Sequence, residues 1–271
     1  MILNGTGLPD LDALGVVDHL SLRAGEKNFG LGQEQLQKKY DAIPTLPGSD
    51  IETGGVRVST EIILKNQVDL VIGYDEGVDR EALRKSGIKL YSPAAFCKNY
   101  AVKHAIWELI DQEVNNLAAI FGVSDRAQDV IAKRQTAVSE LTKTAQQAKG
   151  SGIALYITPG ESHFYTYGAS SMVQPIFEAA GLQNSYADNT KRVFDASMED
   201  LLARNPDWIV LLALSSTEEQ TLAAFTAFPG AGKLKAVANN RVVMLPFALT
   251  DPPTVLSVDG ATALTAKIGG R

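Results

Sequence analysis

Cysteine and positive charge are both scarce in this sequence. Cys97 is the only cysteine among 271 residues, which excludes an internal disulfide and a cysteine-rich zinc site. The 25 Lys and Arg residues face 31 Asp and Glu residues, so the net charge is −6 and the pI is about 5.2. This balance gives no electrostatic reason to expect a nucleic-acid partner.

The sequence also lacks membrane-spanning and targeting segments and several nucleotide-binding and hydrolase motifs. No apolar run reaches the ~18 residues of a membrane-spanning helix, and the first residues carry neither a basic segment nor a lipid-attachment cysteine. The strings G-x-x-x-x-G-K-[ST], G-x-G-x-x-G and G-x-S-x-G do not occur. Nucleotide chemistry and a nucleophile-elbow hydrolase therefore lack support.

Short apolar runs rich in β-branched residues alternate with helical patterns, which is typical of β-α units around a largely parallel sheet. The pattern occurs on both sides of a long helical stretch at residues 100–149, where Gly122 suits a helix end and Ser124 or Asp125 the start of a second helix of about 24 residues. The predicted strands are Val16–Leu22, Val68–Tyr74, Ile88–Ser92, Ile153–Thr158, Trp208–Ala213 and Arg241–Pro246. The predicted helices are Glu34–Ile43, Thr60–Asn66, Asp79–Ser86, Asp125–Ala148, Ser171–Ala180, Met198–Arg204 and Thr217–Ala227.

An internal repeat relates the two halves. Residues 59–72 align without a gap on residues 197–210. In each copy a serine can cap a short helix, a glutamate lies in its first turn, and an apolar strand follows. These glutamates are Glu61 and Glu199. Helix capping accounts for each glutamate by itself, but it gives no reason for the same residue in both halves.

Four further motifs extend the pattern along the chain. They are Ala13-Leu14-Gly15 with Val17-Asp18, the turn Ala179-Ala180-Gly181-Leu182-Gln183-Asn184, the stretch Leu234-Lys235-Ala236-Val237, and the strand Arg241–Pro246. Together with the repeat, their order and spacing resemble the class III (cluster A) substrate-binding proteins of ABC importers, which deliver ferric siderophores, haem and cobalamin. The resemblance covers nearly the whole chain.

The resemblance implies an α/β fold with two lobes, each with a mainly parallel sheet flanked by helices, joined by a long rigid interlobe helix. The implied boundaries are an N-terminal ligand-binding lobe at 1–123, an interlobe backbone helix at 124–150 and a C-terminal ligand-binding lobe at 151–271. The ligand is expected in the cleft between the lobes. Glu61 and Glu199 are expected to dock into arginine pockets of the permease dimer, because exposed carboxylates on rigid lobes can grip arginines with little apolar burial.

The family also implies a location and an oligomeric state. It usually opens with a fuller first strand than Ile2-Leu3-Asn4, so we expect a signal or lipoprotein sequence ahead of Met1. The protein is then periplasmic, or extracytoplasmic and membrane-anchored. We expect a monomer whose partners are an iron chelate and the permease dimer, without nucleic acid.

Candidate ligand residues are sought after each strand, since open α/β lobes bind ligands at the carboxyl ends of their strands. In the first half this selects Arg23, Lys27 and Tyr74. The two cations suit anionic groups of a ferric chelate or haem propionates. A solvated loop is the alternative explanation for them.

The densest aromatic cluster lies at residues 160–168, which we predict to be a loop. It contains His163, Phe164, Tyr165 and Tyr167. Aromatic rings offer a surface for a planar or aryl ligand, and imidazole and phenolate are plausible ligands of ferric iron. We predict that His163, Tyr165 and Tyr167 contact the ligand and that Phe247 completes the rim.

The remaining histidines are given structural roles. His104 and Glu108 are interpreted as a surface pair rather than a metal site, since no third ligand is near. His19 is interpreted as a core or cleft residue of the first strand. We predict no catalytic residue, no bound metal and no resident cofactor.

The principal interpretation is a non-enzymatic extracytoplasmic protein that captures an iron chelate of the ferric siderophore type and delivers it to an ABC importer. The nearest alternative is haem binding, with His163, Tyr165 or Tyr167 as axial ligand. An enzyme with two α/β lobes is a third interpretation, because fold does not fix function. No recognisable set of nucleophile, base and orienting residue supports it.

Overall fold

The chain divides into two units. The computed structural model describes residues 1–24, 30, 32–46, 50–52, 55–73, 78–97, 99–144, 149–214 and 216–269. Unit 1 comprises Met1–Tyr100 and Glu113–Val130, and unit 2 comprises Ala101–Gln112 and Ile131–Arg271. Both units combine helices and strands, which confirms the α/β class with two lobes. The lobe boundaries stay a prediction.

Unit 1 is built on short parallel strands. Its helices are α1 (Leu8–Ala13), α2 (Glu34–Ala42), α3 (Thr60–Lys65) and α4 (Arg80–Lys85), and its strands are β1 (Asp50–Glu52), β2 (Gly55–Arg57), β3 (Leu70–Ile72) and β4 (Lys89–Tyr91). β3 and β4 are parallel, and single parallel bridges continue the ladder from Ile72 to Ile2, from Ile2 to Arg23 and from Arg23 to Thr45. β1 and β2 form a separate antiparallel pair.

The predicted strand Val16–Leu22 is wrong. The chain forms a 3-10 turn at Val17–His19, and the parallel bridge is made by Arg23. Val16 and Leu20 are buried and lie four residues apart, whereas His19 is exposed. This spacing is that of a helical turn rather than the alternation of a strand. Of the two positions predicted for His19, core or cleft, the core position is therefore wrong and the cleft position stays a prediction. Its ring lies beside Phe121 at a centroid distance of 5.6 Å.

Two consecutive helices, α5 (Glu108–Phe121) and α6 (Ser124–Thr144), each have residues in both units. Gly122 between them has φ +69°, the left-handed conformation expected at a helix C-terminus. α6 has 21 residues, close to the predicted second helix. Residues 145–148 of that prediction lie outside the described part of the chain, and the strut role of the helix stays a prediction.

Unit 2 contains a larger mixed sheet. Its strands are β5 (Gly150–Tyr156), β6 (Phe164–Tyr167), β7 (Leu182–Asn184), β8 (Val193–Ala196), β9 (Trp208–Ala213) and β10 (Val242–Pro246). The order is β10-β9-β5-β6-β8, and β7 pairs with the start of β5. The pairs among β10, β9, β5 and β7 are parallel, whereas β6 is antiparallel to both β5 and β8.

Helices cover both faces of this sheet. They are α7 (Val173–Ala180), α8 (Met198–Arg204), α9 (Glu218–Thr226), α10 (Lys235–Ala238) and α11 (Ser257–Gly269). On one face Leu155 and Leu211 belong to a core cluster with Leu201 of α8 and Phe225 of α9. On the other face a Cβ at Gly152 would lie 2.8 Å from the ring of Phe177 in α7. The parallel strands β5 and β9 are therefore buried on both sides, as their continuous apolar runs indicate.

The repeat found in the sequence has the same local structure in each unit. α3 and α8 begin at residues 60 and 198, and β3 and β9 begin at residues 70 and 208, so both pairs are 138 residues apart. Gln67 and Asn205, also 138 residues apart, have φ of 50° and 38°. The correspondence extends to the caps of the next helices, Asp79 of α4 and Thr217 of α9.

Candidate ligand-binding site

Four side chains of unit 2 form a continuous aromatic surface. Tyr156 ends β5, His163 precedes β6, Tyr165 lies within β6 and Phe247 follows β10. The ring centroids of His163 and Tyr165 are 5.3 Å apart, and those of Tyr165 and Tyr156 are 6.5 Å apart. The Tyr156 and Phe247 rings are 5.5 Å apart and nearly perpendicular. We call these four residues the aromatic surface.

Strand pairing places these rings at one edge of the sheet. Tyr156 lies opposite Tyr165 in the antiparallel pair β5–β6 and opposite Leu212 in the parallel pair β5–β9. Phe247 follows the last residue of β10, so both Tyr156 and Phe247 lie at carboxyl ends of parallel strands, where open α/β sheets bind ligands. Tyr156 was not among the predicted site residues, because the predicted strand Ile153–Thr158 continued two residues beyond the observed strand end at Tyr156.

The predicted loop at 160–168 is wrong for its second half, because Phe164–Tyr167 is strand β6. Strand alternation sends Phe164 and Thr166 into the core, at 2% and 0% exposure, while Tyr165 is half-buried and His163 is exposed. The partners of β6 are β5 and β8. Only tertiary pairing therefore sorts these aromatic residues into core and surface.

Tyr167 is also deeply buried. It is 2% exposed, and burial raises the pKa of its phenol well above the ordinary value, with a smaller contribution from Asp251. Burial thus disfavours the phenolate form that a ferric ion would require. Its predicted ligand contact stays a prediction, and the observed surroundings give the ring a packing role.

Of the predicted ligand-binding residues of unit 1, only Arg23 lies in the described part of the chain. Arg23 is 3% exposed, its Nε donates to the Ile43 carbonyl oxygen at 3.2 Å, and its guanidinium lies 4.4 Å from the centroid of the Tyr40 ring. These contacts engage Arg23 inside unit 1, and its predicted ligand contact stays a prediction. Lys27 and Tyr74 lie outside the described residues, and both stay predictions.

Glu61 and Glu199 occupy matched positions in the first turns of α3 and α8. Each helix is capped by a serine, Ser59 or Ser197, whose hydroxyl accepts a backbone N–H of the first turn. Both glutamates are exposed. A hydrogen bond from Lys65, at 2.9 Å, lowers the pKa of Glu61, and the charge of Lys65 adds to this effect. Both carboxylates are accessible to a partner, and their docking role stays a prediction.

The described residues contain no group of three or more His, Cys, Asp or Glu side chains that could hold a metal ion. His104 Nε2 lies 3.3 Å from Glu178 Oε1, so the carboxylate beside it is that of Glu178 and not that of the predicted Glu108. No helix in the described part of the chain is long and apolar enough to cross a membrane.

The comparisons with known proteins identify the family. Residues 2–249 match the family model described as "Periplasmic binding protein". The chain therefore belongs to the periplasmic binding protein family, which confirms the resemblance seen in the sequence. A search of curated proteins gives no match.

Solved structures share the fold over the whole chain. A protein described as an ABC-type Fe3+-hydroxamate transport system from Saccharomonospora viridis is 33% identical, with a TM-score of 0.89, and the match covers 100% of this chain and 92% of that chain. A periplasmic binding protein from Veillonella parvula is 17% identical, with a TM-score of 0.79, and the match covers 100% of this chain and 91% of that chain. A periplasmic heme-binding protein from Roseiflexus sp. RS-1 is 19% identical, with a TM-score of 0.73, and the match covers 98% and 96% of the two chains. The last two show the fold alone.

Proposed function

We propose that this chain is an extracytoplasmic substrate-binding protein that captures a ferric chelate of the hydroxamate type for an ABC importer. The observation that carries the proposal is the 33% identity, over the whole chain, with the protein of the Fe3+-hydroxamate transport system. Membership of a family of binding proteins favours capture over the enzyme alternative.

The chemistry of the aromatic surface suits such a ligand. Three hydroxamates neutralise the charge of Fe3+ and fill its coordination sphere with oxygen, so the protein has to supply packing rather than a metal ligand. Half-buried rings at Tyr156, Tyr165 and Phe247 offer apolar area that a bound chelate would remove from water. His163, 49% exposed and with Glu161 Oε2 3.7 Å from its Nδ1, adds a polar edge that can orient the ligand.

The test uses ferrioxamine B, a ferric hydroxamate, as the probe and the quenching of tryptophan fluorescence as the readout. Tyr165→Ala and Phe247→Ala should each weaken binding by about tenfold or more, in line with the ~1–3 kcal/mol of a central aromatic contact. The matched control is Phe121→Ala, which removes a half-buried ring of unit 1 that has a similar ring contact. Wild-type protein that fails to bind the probe, or variants that bind like the control, would overturn the proposal.

Haem is a second candidate because the exposed His163 ring lies next to Tyr165. Either side chain could approach an iron atom above a planar ligand. Haemin should then give a shifted Soret band that is lost in His163→Ala or in Tyr165→Phe. An unshifted band with wild-type protein, together with tight binding of ferrioxamine B, would exclude this candidate.

We assign docking to the permease, and so delivery of the ligand, to Glu61 and Glu199. We expect both to pair with arginines of the permease. Their support is the matched helix position and the exposure of both side chains. Removing one partner of a close charge pair across an interface costs ~2–5 kcal/mol where the other charge stays buried, and less at an exposed rim. Iron uptake and permease co-purification should therefore fall in the double variant Glu61→Ala/Glu199→Ala.

The chain supplies a matched control for this experiment. Glu81 and Glu219 are also exposed first-turn glutamates, and they are also 138 residues apart. The double variant Glu81→Ala/Glu219→Ala should retain uptake and co-purification. Equal losses in both double variants would point to overall surface charge, and full uptake in the Glu61/Glu199 variant would reduce those residues to helix-capping groups.

A further inference from the structure

A buried ion pair lies next to the aromatic surface. The side chain of Asp251 is 0% exposed and that of Arg192 is 18% exposed, and Arg192 Nη1 donates to Asp251 Oδ2. The second carboxylate oxygen, Oδ1, accepts the backbone N–H of Met172 at 3.2 Å. Asp251 is thus fixed both to the residue before β8 and to the start of α7.

The backbone of Asp251 is tied to Phe247 of the aromatic surface. The Phe247 carbonyl oxygen accepts the backbone N–H of Thr250 at 2.9 Å and that of Asp251 at 3.3 Å. The Thr250 hydroxyl donates to the same oxygen at 2.8 Å. These bonds close a 3-10 turn at Phe247–Leu249. Thr250 closes this turn, and the next residue, Asp251, adds a bond to the same oxygen through its backbone while its carboxylate is anchored elsewhere.

A second connection runs through Tyr167. Its buried phenol interacts electrostatically with Asp251, Arg192 and Tyr156, and the Tyr156 ring contacts Phe247. The ion pair is thereby linked to the aromatic surface by the turn and by this buried ring. A buried ion pair is weak evidence for stability, because desolvation offsets the attraction between the charges. A role in fixing local geometry accounts better for its position.

We infer that Arg192 and Asp251 are positioning residues for ligand binding, which hold the Phe247 turn so that its ring is already placed against Tyr156 before the ligand arrives. A ring that is placed in advance loses less conformational freedom on binding, so the complex is tighter. This inference rests on the proposed role of the aromatic surface. It adds two residues that, on this inference, act without touching the ligand.

A double-mutant cycle tests the inference, with ferrioxamine B as the probe. In the otherwise wild-type chain, Arg192→Gln should raise the Kd about tenfold, which corresponds to ~1.4 kcal/mol. In the Phe247→Ala background the same change should raise the Kd by less than about twofold, because the ring that the pair positions is gone. Lys191→Gln, which removes the neighbouring exposed cation, should leave the Kd unchanged in both backgrounds.

Two further variants separate positioning from a loss of folding. Arg192→Lys keeps the charge and should restore part of the affinity, whereas Asp251→Asn keeps an acceptor for the Met172 N–H and should match Arg192→Gln. An Arg192→Gln effect of equal size in both backgrounds would overturn the inference while leaving the proposed function intact. Normal binding by Phe247→Ala would instead remove Phe247 from the aromatic surface and overturn the inference with it.

Discussion

Glu113 is expected to make unit 1 less stable as the pH rises from about 4.5 to about 7. The residue lies in α5 and is 7% exposed. Tyr91 donates its hydroxyl to Glu113 Oε2 at 2.9 Å, and the backbone N–H of Ala94 also donates to the carboxylate. Oε1 has no hydrogen-bond partner among the described residues.

Burial raises the pKa of Glu113 from 4.5 to about 7 and outweighs the two hydrogen bonds, which lower it. Below pH 4.5 the carboxyl is protonated in both the folded and the unfolded chain, so it has no pH-linked effect on stability. As the pH rises toward 7 the unfolded chain loses the proton first, and ionisation favours unfolding. The stability lost across this window is about 3 kcal/mol, because each pH unit between 4.5 and about 7 contributes ~1.36 kcal/mol.

The assay is urea unfolding at several pH values between 4 and 8, followed by circular dichroism. The free energy of unfolding of wild-type protein should fall across the window relative to that of Glu113→Gln, which cannot ionise. The Gln variant carries its own cost at every pH, so the difference in slope is the quantity to compare. Glu108→Gln, an exposed change in the same helix, should follow the wild type. Parallel curves for wild type and Glu113→Gln would refute this account.

Three further predictions concern packing. Tyr167→Ala should lower the free energy of unfolding by ~3–5 kcal/mol because the ring is 2% exposed, whereas Tyr165→Ala should leave the melting temperature within a few degrees. Equal melting temperatures for the two variants would contradict the burial argument. Arg134→Met should cost ~3–5 kcal/mol because it leaves Asp111, 15% exposed, without its ion-pair partner, and the double change Arg134→Met/Asp111→Leu should recover much of this loss in urea titrations. Gly260→Ala should prevent or strongly weaken folding, since its Cβ would lie 1.9 Å from a backbone carbonyl oxygen; a soluble variant with wild-type melting would show that α11 can shift.

The gap-free repeat was the strongest guide that the sequence offered. Local chemistry sets these elements, because a capping serine at Ser59 or Ser197 fixes a helix start and an apolar run after a turn fixes a strand. The predicted segments of both copies were accordingly found within one or two residues, and Trp208–Ala213 was found with its predicted bounds.

The candidate site was decided by contacts distant in sequence. Sequence patterns identified His163, Tyr165 and Tyr167 as one aromatic cluster, but they could not show that residues 164–167 pair with β5 and β8. That pairing brings Tyr156 beside Tyr165, and the Tyr156 ring in turn contacts Phe247. Tertiary packing also buries Tyr167 and leaves Tyr165 half-buried.

The sequence by itself determined the α/β class, the repeat with its matched glutamates, and the family resemblance that the comparisons confirmed. Each rests on residues that are neighbours along the chain, where periodicity, caps and motif order act directly. Only the tertiary structure decided that Arg23 is buried and that the Arg192–Asp251 pair lies near the aromatic surface. Burial and ion pairing depend on residues that are tens of positions apart in the sequence. Local sequence patterns do not indicate which distant side chain will be the partner.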